Sequence, residues 1–288
     1  MKRSRWLVEM VVCPLFLVLL PRLAAAADER IPLTLDDGRV VEATVRIPDA
    51  AQGRLPALML FGGFRRAAKV LDRVQTDRPV IWATFDYPFE PPRKFSFPAS
   101  LGDAPEARAA IHGSFDGIAK LYRALAEHPR VDPARITVVG ASAGAPFATV
   151  GAAREPIPGV ILVQGLGDVP LVIEHLIARK YVAKHGDWVR TPARWFAHWI
   201  NWYCGIPDIA AQARQLRANQ KVLMITATQD DFIPKAATES LWTALEASAA
   251  KHERIDIEGI HLGVGDDSAR IADILSRSMK WMQKEGLL

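Results

Sequence analysis

Hydrophobic and polar positions follow two rhythms along this chain. From Ile31 to Pro48, IPLTLDDGRVVEATVRIP alternates on either side of Asp37-Gly38, which predicts a hairpin turning at that pair. PALMLFGGF and PVIWATFDYP then follow as short continuous apolar runs, each the length of a buried strand. APEARAAIHGSFDGIAKLYRALAEHP carries its apolar residues at helical spacing and stops at Pro129. Beyond it, RITVVGASAG predicts a strand running into a turn and a second helix. GVILVQGLGD, KVLMITATQDDFIP and ERIDIEGIHLG are three further strands, and Asp266 to Gln283 a closing helix. Buried strands alternating with helices predict an α/β fold with a mostly parallel sheet covered on both faces.

One segment breaks this rhythm. About fifty residues separate Asp168 from Gln220, where a single crossover helix would suffice. They include Trp188, Trp195, Trp199 and Trp202 together with Tyr181, Phe196 and Tyr203. We expect a cap-like helical insertion over 168–220 whose rings line a ligand cleft. The competing expectation is that the tryptophans fill a core.

The N-terminus changes how the charge is read. Lys2, Arg3 and Arg5 precede an apolar run from Val11 to Leu20, and alanines occupy 24–27. This predicts a signal peptide over 1–27 cleaved near Ala26 or Ala27, with a secreted or periplasmic domain over 28–288. The run is about half the ~20 residues a bilayer span needs, so no stable membrane insertion is expected after cleavage. Lys2, Arg3, Arg5 and Arg22 against Glu9 account for three of the four net positive charges. The mature domain is therefore nearly neutral, and nucleic acid is not an expected partner. With Cys13 in the leader, Cys204 is the only mature cysteine, which excludes an intramolecular disulfide. Half of the residues are apolar, and the mature length suits one large domain.

The candidate chemistry centres on Gly140-Ala141-Ser142-Ala143-Gly144, a G-x-S-x-G pattern between a predicted strand and helix. Small neighbours suit a turn too sharp for larger side chains, and a helix N-terminus aims N–H groups at the site. A serine hydroxyl needs a base to act as a nucleophile. His261 follows the last predicted strand, flanked by Gly259 and Gly263, and is the candidate. Asp230 is the preferred orienting acid, at the strand end and four residues before Pro234, with Asp231 and Asp168 as alternatives. For a developing oxyanion, Ala143 offers one backbone N–H and Gly63 or Phe64, after Gly62, the second. No metal or organic cofactor is implied.

GASAG, the early FGGF, the acid loop QDDFIP and the terminal EGIHLG occur in the order serine, acid, histidine. On these motifs the chain resembles the α/β-hydrolases over nearly all of its mature length, nearest the esterase, dienelactone-hydrolase and prolyl-oligopeptidase-like branches. The resemblance implies a mainly parallel sheet of about eight strands and hydrolysis of a small-molecule ester or short peptide through an acyl-enzyme on Ser142. Lipases carry a histidine before the oxyanion-loop glycines, and prolyl-oligopeptidase relatives a tyrosine; here that residue is Phe61. The second donor must then be backbone, which favours esters over peptide bonds. Acyl transfer and a non-catalytic binding role on the same scaffold are the other readings.

Overall fold

The apolar runs become the strands of one eight-stranded sheet, ordered β1-β2-β4-β3-β5-β6-β7-β8. The structure is a computed structural model describing residues 26–48, 52–63, 71–72, 74, 78–88, 102, 104–263 and 268–288. Residues 1–25 of the predicted leader and the predicted donor Phe64 lie outside the described residues. Strands β1 (Ala26–Thr34) and β2 (Val40–Pro48) form the predicted antiparallel hairpin. Its turn closes through the Leu35 N–H on the Arg39 carbonyl at 2.7 Å, with Gly38 at φ 84°. Strand β2 also pairs antiparallel with β4 (Ile81–Phe85).

From β4 onward every pairing is parallel, through β3 (Leu55–Phe61), β5 (Val131–Ala141), β6 (Gly159–Val163), β7 (Lys221–Ala227) and β8 (Lys251–Ile257). Strands β3, β4 and β6 are buried throughout, as their uninterrupted apolar runs require. Alternate residues serve opposite faces. Ala57, Met59 and Phe61 join one core, while Leu58 and Leu60 join the other. At the sheet edge, KHERIDI in β8 is largely polar, which discourages pairing with another chain.

Helices α1 (Ala104–Glu127) and α2 (Gly144–Arg154) cover the first face. They approach closely because glycine stands where they touch. A Cβ at Gly151 would lie 2.5 Å from the Ile118 side chain, and one at Gly117 would lie 2.7 Å from the Phe85 ring. The closing helix, here Ser268–Lys284, covers the other face through Met279, Trp281 and Met282.

The segment after β6 folds as α3 (Val169–His185), a short 3₁₀ turn at Asp187–Val189, α4 (Arg190–Cys204) and α5 (Ile209–Arg214). Its tryptophans do not fill a core. Ala193, Ala197 and Cys204 form the buried side of α4. Trp195, Trp199 and Trp202 recur at intervals of four and three and so share the opposite side. They are 75%, 42% and 75% exposed, and Trp188 is 69% exposed. Phe196 and Tyr203 stack on Trp199 at centroid distances of 5.9 and 5.5 Å. Phe196, Trp199 and Tyr203 thus form a stack at the surface.

Ile118 is fully buried at the α1–α2 seam. Ile118→Ala is expected to lower unfolding stability by about 2–5 kcal/mol, read by denaturant titration with far-ultraviolet circular dichroism. A change below ~1 kcal/mol would mean that the seam collapses around the missing atoms.

Candidate active site

Strand β5 ends in the turn that carries Ser142. This residue takes φ 54°, a left-handed conformation that L-residues adopt at a cost. Its N–H donates to the Val163 carbonyl at 2.8 Å, and the Ala145 N–H closes the turn on the Ser142 carbonyl at 3.0 Å. Both flanking glycines are sterically required. A Cβ at Gly140 would meet the Ala148 Cβ and the Gly144 carbonyl at 2.6 Å. One at Gly144 would collide with the Phe61 carbonyl at the end of β3. Tightness of the turn therefore accounts for the small residues around the serine.

Three segments meet at this turn. The Ser142 Oγ lies 2.7 Å from His261 Nε2, and His261 Nδ1 lies 2.7 Å from Asp230 Oδ2. An ionised carboxylate only accepts, so Nδ1 donates to Asp230 and Nε2 accepts the serine proton. The other oxygen, Asp230 Oδ1, accepts from the Phe232 and Ile233 N–H groups at 2.9 Å each. Burial pushes the Asp230 carboxyl up, but the His261 ring and these two backbone donors together outweigh it and hold its pKa below the ordinary value.

The alternative acids point elsewhere. Asp168 caps α3, accepting the Leu171 N–H at 2.9 Å. Asp231 is exposed and pairs with Arg179 at 2.7 Å. Its carbonyl also accepts from Arg179 at 3.0 Å and lies 2.9 Å from His175 Nε2, so α3 grips the acid loop beside Asp230. Phe232 stacks on the His261 ring at 5.2 Å, and the Arg179 guanidinium lies over its centroid at 4.7 Å.

Two residues that sequence reasoning missed hold this arrangement. Gln164, at the end of β6, is 2% exposed and sits at φ 50°. Its side-chain amide donates to the Ile260 carbonyl at 3.2 Å and accepts the Leu262 N–H at 2.8 Å. One side chain thereby pins the backbone on both sides of His261. A buried amide within an apolar strand run was the available signal. Tyr87 is the second. Its hydroxyl donates to the Gly62 carbonyl at 2.9 Å, and burial raises its pKa far above the ordinary phenol value, so it remains a donor. In a trans peptide C=O and N–H point in opposite directions, so this bond turns the Gly63 N–H away from Tyr87. The Gly62 carbonyl lies 3.0 Å from where a Gly144 Cβ would be, which sets this loop against the start of α2. Phe61 has no hydroxyl to donate, and its ring is fully buried against Phe85 at a centroid distance of 5.1 Å.

Ser142, Ala143 and His261 open onto a cavity of about 330 Å³ lined otherwise by α1, α2, α3, Ile200, Ile206 and the acid loop. None of the exposed tryptophans reaches it.

No family model matches the chain, and no curated protein matches it at a significant level. Solved structures do. Acetyl xylan esterase 1 from Thermoanaerobacterium is 17% identical with a TM-score of 0.60, covering 87% of this chain and 83% of its own. An acetyl xylan esterase from Paenibacillus is 16% identical with a TM-score of 0.62, covering 89% and 85%. A puromycin-hydrolysing peptidase from Mycobacterium tuberculosis is 20% identical with a TM-score of 0.62, covering 91% of this chain but 40% of its own. At such identities the likeness is one of fold, and with the strand order above the chain has the α/β-hydrolase fold.

The lowered Asp230 pKa sets a pH dependence. Its contribution to stability is complete above the ordinary value of 3.8 and is lost as pH falls through the lower folded-state value. The stability gap between wild type and Asp230→Asn is therefore expected to hold from pH 7 to about 5 and to narrow progressively as pH falls below about 4. Denaturant unfolding of both proteins across that range tests it. A gap that persists undiminished in strong acid would contradict the assignment of an ionised carboxylate.

Proposed function

We propose that the chain is a serine hydrolase that cleaves carboxylic esters, exported to the periplasm or the exterior by its leader. The observation that carries this reading is the unbroken hydrogen-bond chain from Ser142 through His261 to Asp230. It supplies what an alcohol nucleophile lacks, a base in contact and an anion behind that base.

In the proposed reaction Ser142 Oγ attacks the ester carbonyl carbon as its proton passes to His261 Nε2. Asp230 stabilises the imidazolium and keeps Nε2 facing the serine. The N–H groups of Ala143 and of Gly63 or Phe64 receive the negative oxygen of the tetrahedral intermediate. The bond to the alcohol then breaks, and His261 protonates the departing oxygen. Water, deprotonated by the same imidazole, attacks the acyl-enzyme, and the second collapse releases the acid and restores the serine hydroxyl. The small-molecule substrate needs no metal or cofactor in this scheme.

Ser142→Ala is expected to lower kcat on p-nitrophenyl esters by about 10⁴–10⁶-fold with the fold retained by circular dichroism. A variant keeping most of its turnover would remove the nucleophile from the proposal. Aminoacyl anilides run beside the esters separate this reading from a peptidase, for which anilide cleavage would be comparable. Gln164→Leu is expected to reduce kcat by about 10–10²-fold through a misplaced imidazole, with KM changing much less. An unaltered kcat would show that the bracket around His261 is dispensable.

A further inference from the structure

The cavity beside Ser142 is large for the reaction centre it serves. At roughly 30 Å³ per non-hydrogen atom, the share of one water in the liquid, its volume of about 330 Å³ holds about ten such atoms. Ser142 and His261 supply the only polar side chains on its wall among the described residues. The rest is aliphatic or aromatic: Ile111 and Phe115 from α1, Val172 and Ile173 from α3, and Phe232 and Ile233 from the acid loop are representative.

Such a wall selects by chemistry. A peptide, a sugar or a charged acid would bury donors, acceptors or charge here with no side-chain partner beyond Ser142 and His261 among the described residues, at a cost that neutral apolar groups avoid. An acetyl group would fill only a few of the ten places and forgo most of the available contacts. The matching ligand is a neutral hydrocarbon chain of medium length.

The chemistry also decides which end of the ester enters. The acyl half stays bonded to Ser142 Oγ between the two half-reactions, whereas the alcohol must leave after taking its proton from His261 Nε2. A recess walled by α1, α3 and the acid loop suits the half that remains and hinders the half that departs.

From this we infer that the cavity is an acyl-chain site and that the preferred substrates are esters of uncharged apolar acids of up to about eight carbons, not acetate esters. The inference rests on Ser142 being the nucleophile. It also separates this chain from the acetyl xylan esterases that share its fold.

The test is kcat/KM across p-nitrophenyl acetate, butanoate, hexanoate, octanoate and dodecanoate, which share one leaving group. The expected profile rises about fourfold per methylene to a maximum near octanoate and then falls. Ile173→Trp, which shortens the recess, is expected to move the maximum to shorter acids and to lower the octanoate-to-acetate ratio by about tenfold or more. A ratio taken within one preparation is independent of how much of the variant folds. A second series, from methyl to hexyl acetate, varies the alcohol alone and is expected to be nearly flat. Acetate as the best acyl group, or a steep dependence on the alcohol with a flat acyl series, would overturn the acyl-site inference and leave the nucleophile intact. Failure of every ester, together with no labelling of Ser142 by an alkyl fluorophosphonate, would instead overturn the reading beneath it.

Discussion

The backbone of Ser142 is the constraint on which the site is built. A residue held at φ 54° at the end of a central strand points its side chain out of the pleat and starts a helix immediately afterwards. That geometry tolerates no bulk on either flank, so Gly140 and Gly144 follow from it. It also draws α2 against the end of β3, where Phe61 and Gly62 pass within contact of Gly144. The strain is offset by the hydrogen bonds of the turn and by the fully buried strands around it. Within this sheet the hydroxyl is fixed in position before any substrate arrives.

Its partners are held less by the sheet than by polar ties between loops. Gln164 repeats the device of Ser142 one strand over, with a left-handed backbone whose N–H reaches the Ile225 carbonyl at 2.6 Å. Its amide spans the His261 loop from both sides. The acid loop is anchored twice, by its own backbone N–H groups on Asp230 and by Arg179 and His175 of α3 on Asp231. A stack of guanidinium, Phe232 and imidazole joins α3 to the base. The inserted helices thus do more than wall the cavity; they brace the carboxylate loop.

The strand runs, the hairpin and the serine turn were legible because each is a local pattern whose period or steric demand acts on neighbours in the chain. His261 and Asp230 were legible through their positions after strands, and the structure brings both to the serine. Gln164 and Tyr87 were not, because their partners lie 96 and 25 residues away and no periodicity marks a tie between loops. The aromatic insertion misled for a related reason. Tryptophan content says nothing of which side of a helix faces inward, and it is Ala193, Ala197 and Cys204 that face inward on α4. The ligand cavity is consequently walled by aliphatic residues and by Phe115, Phe147 and Phe232, contributed by parts of the chain that no aromatic cluster singles out.

The outward tryptophans bear on how this molecule reports its own folding. Of its eight tryptophans, Trp188, Trp195, Trp199 and Trp202 already meet water in the native state, whereas Trp82 and Trp281 are buried. Indole emission moves to longer wavelength when the ring leaves an apolar environment, and half of these rings have little such distance left to travel. Intrinsic fluorescence is for that reason a muted witness to the loss of this fold, and the change it does show comes from Trp82 in the sheet and Trp281 packed on it, not from the surface helix.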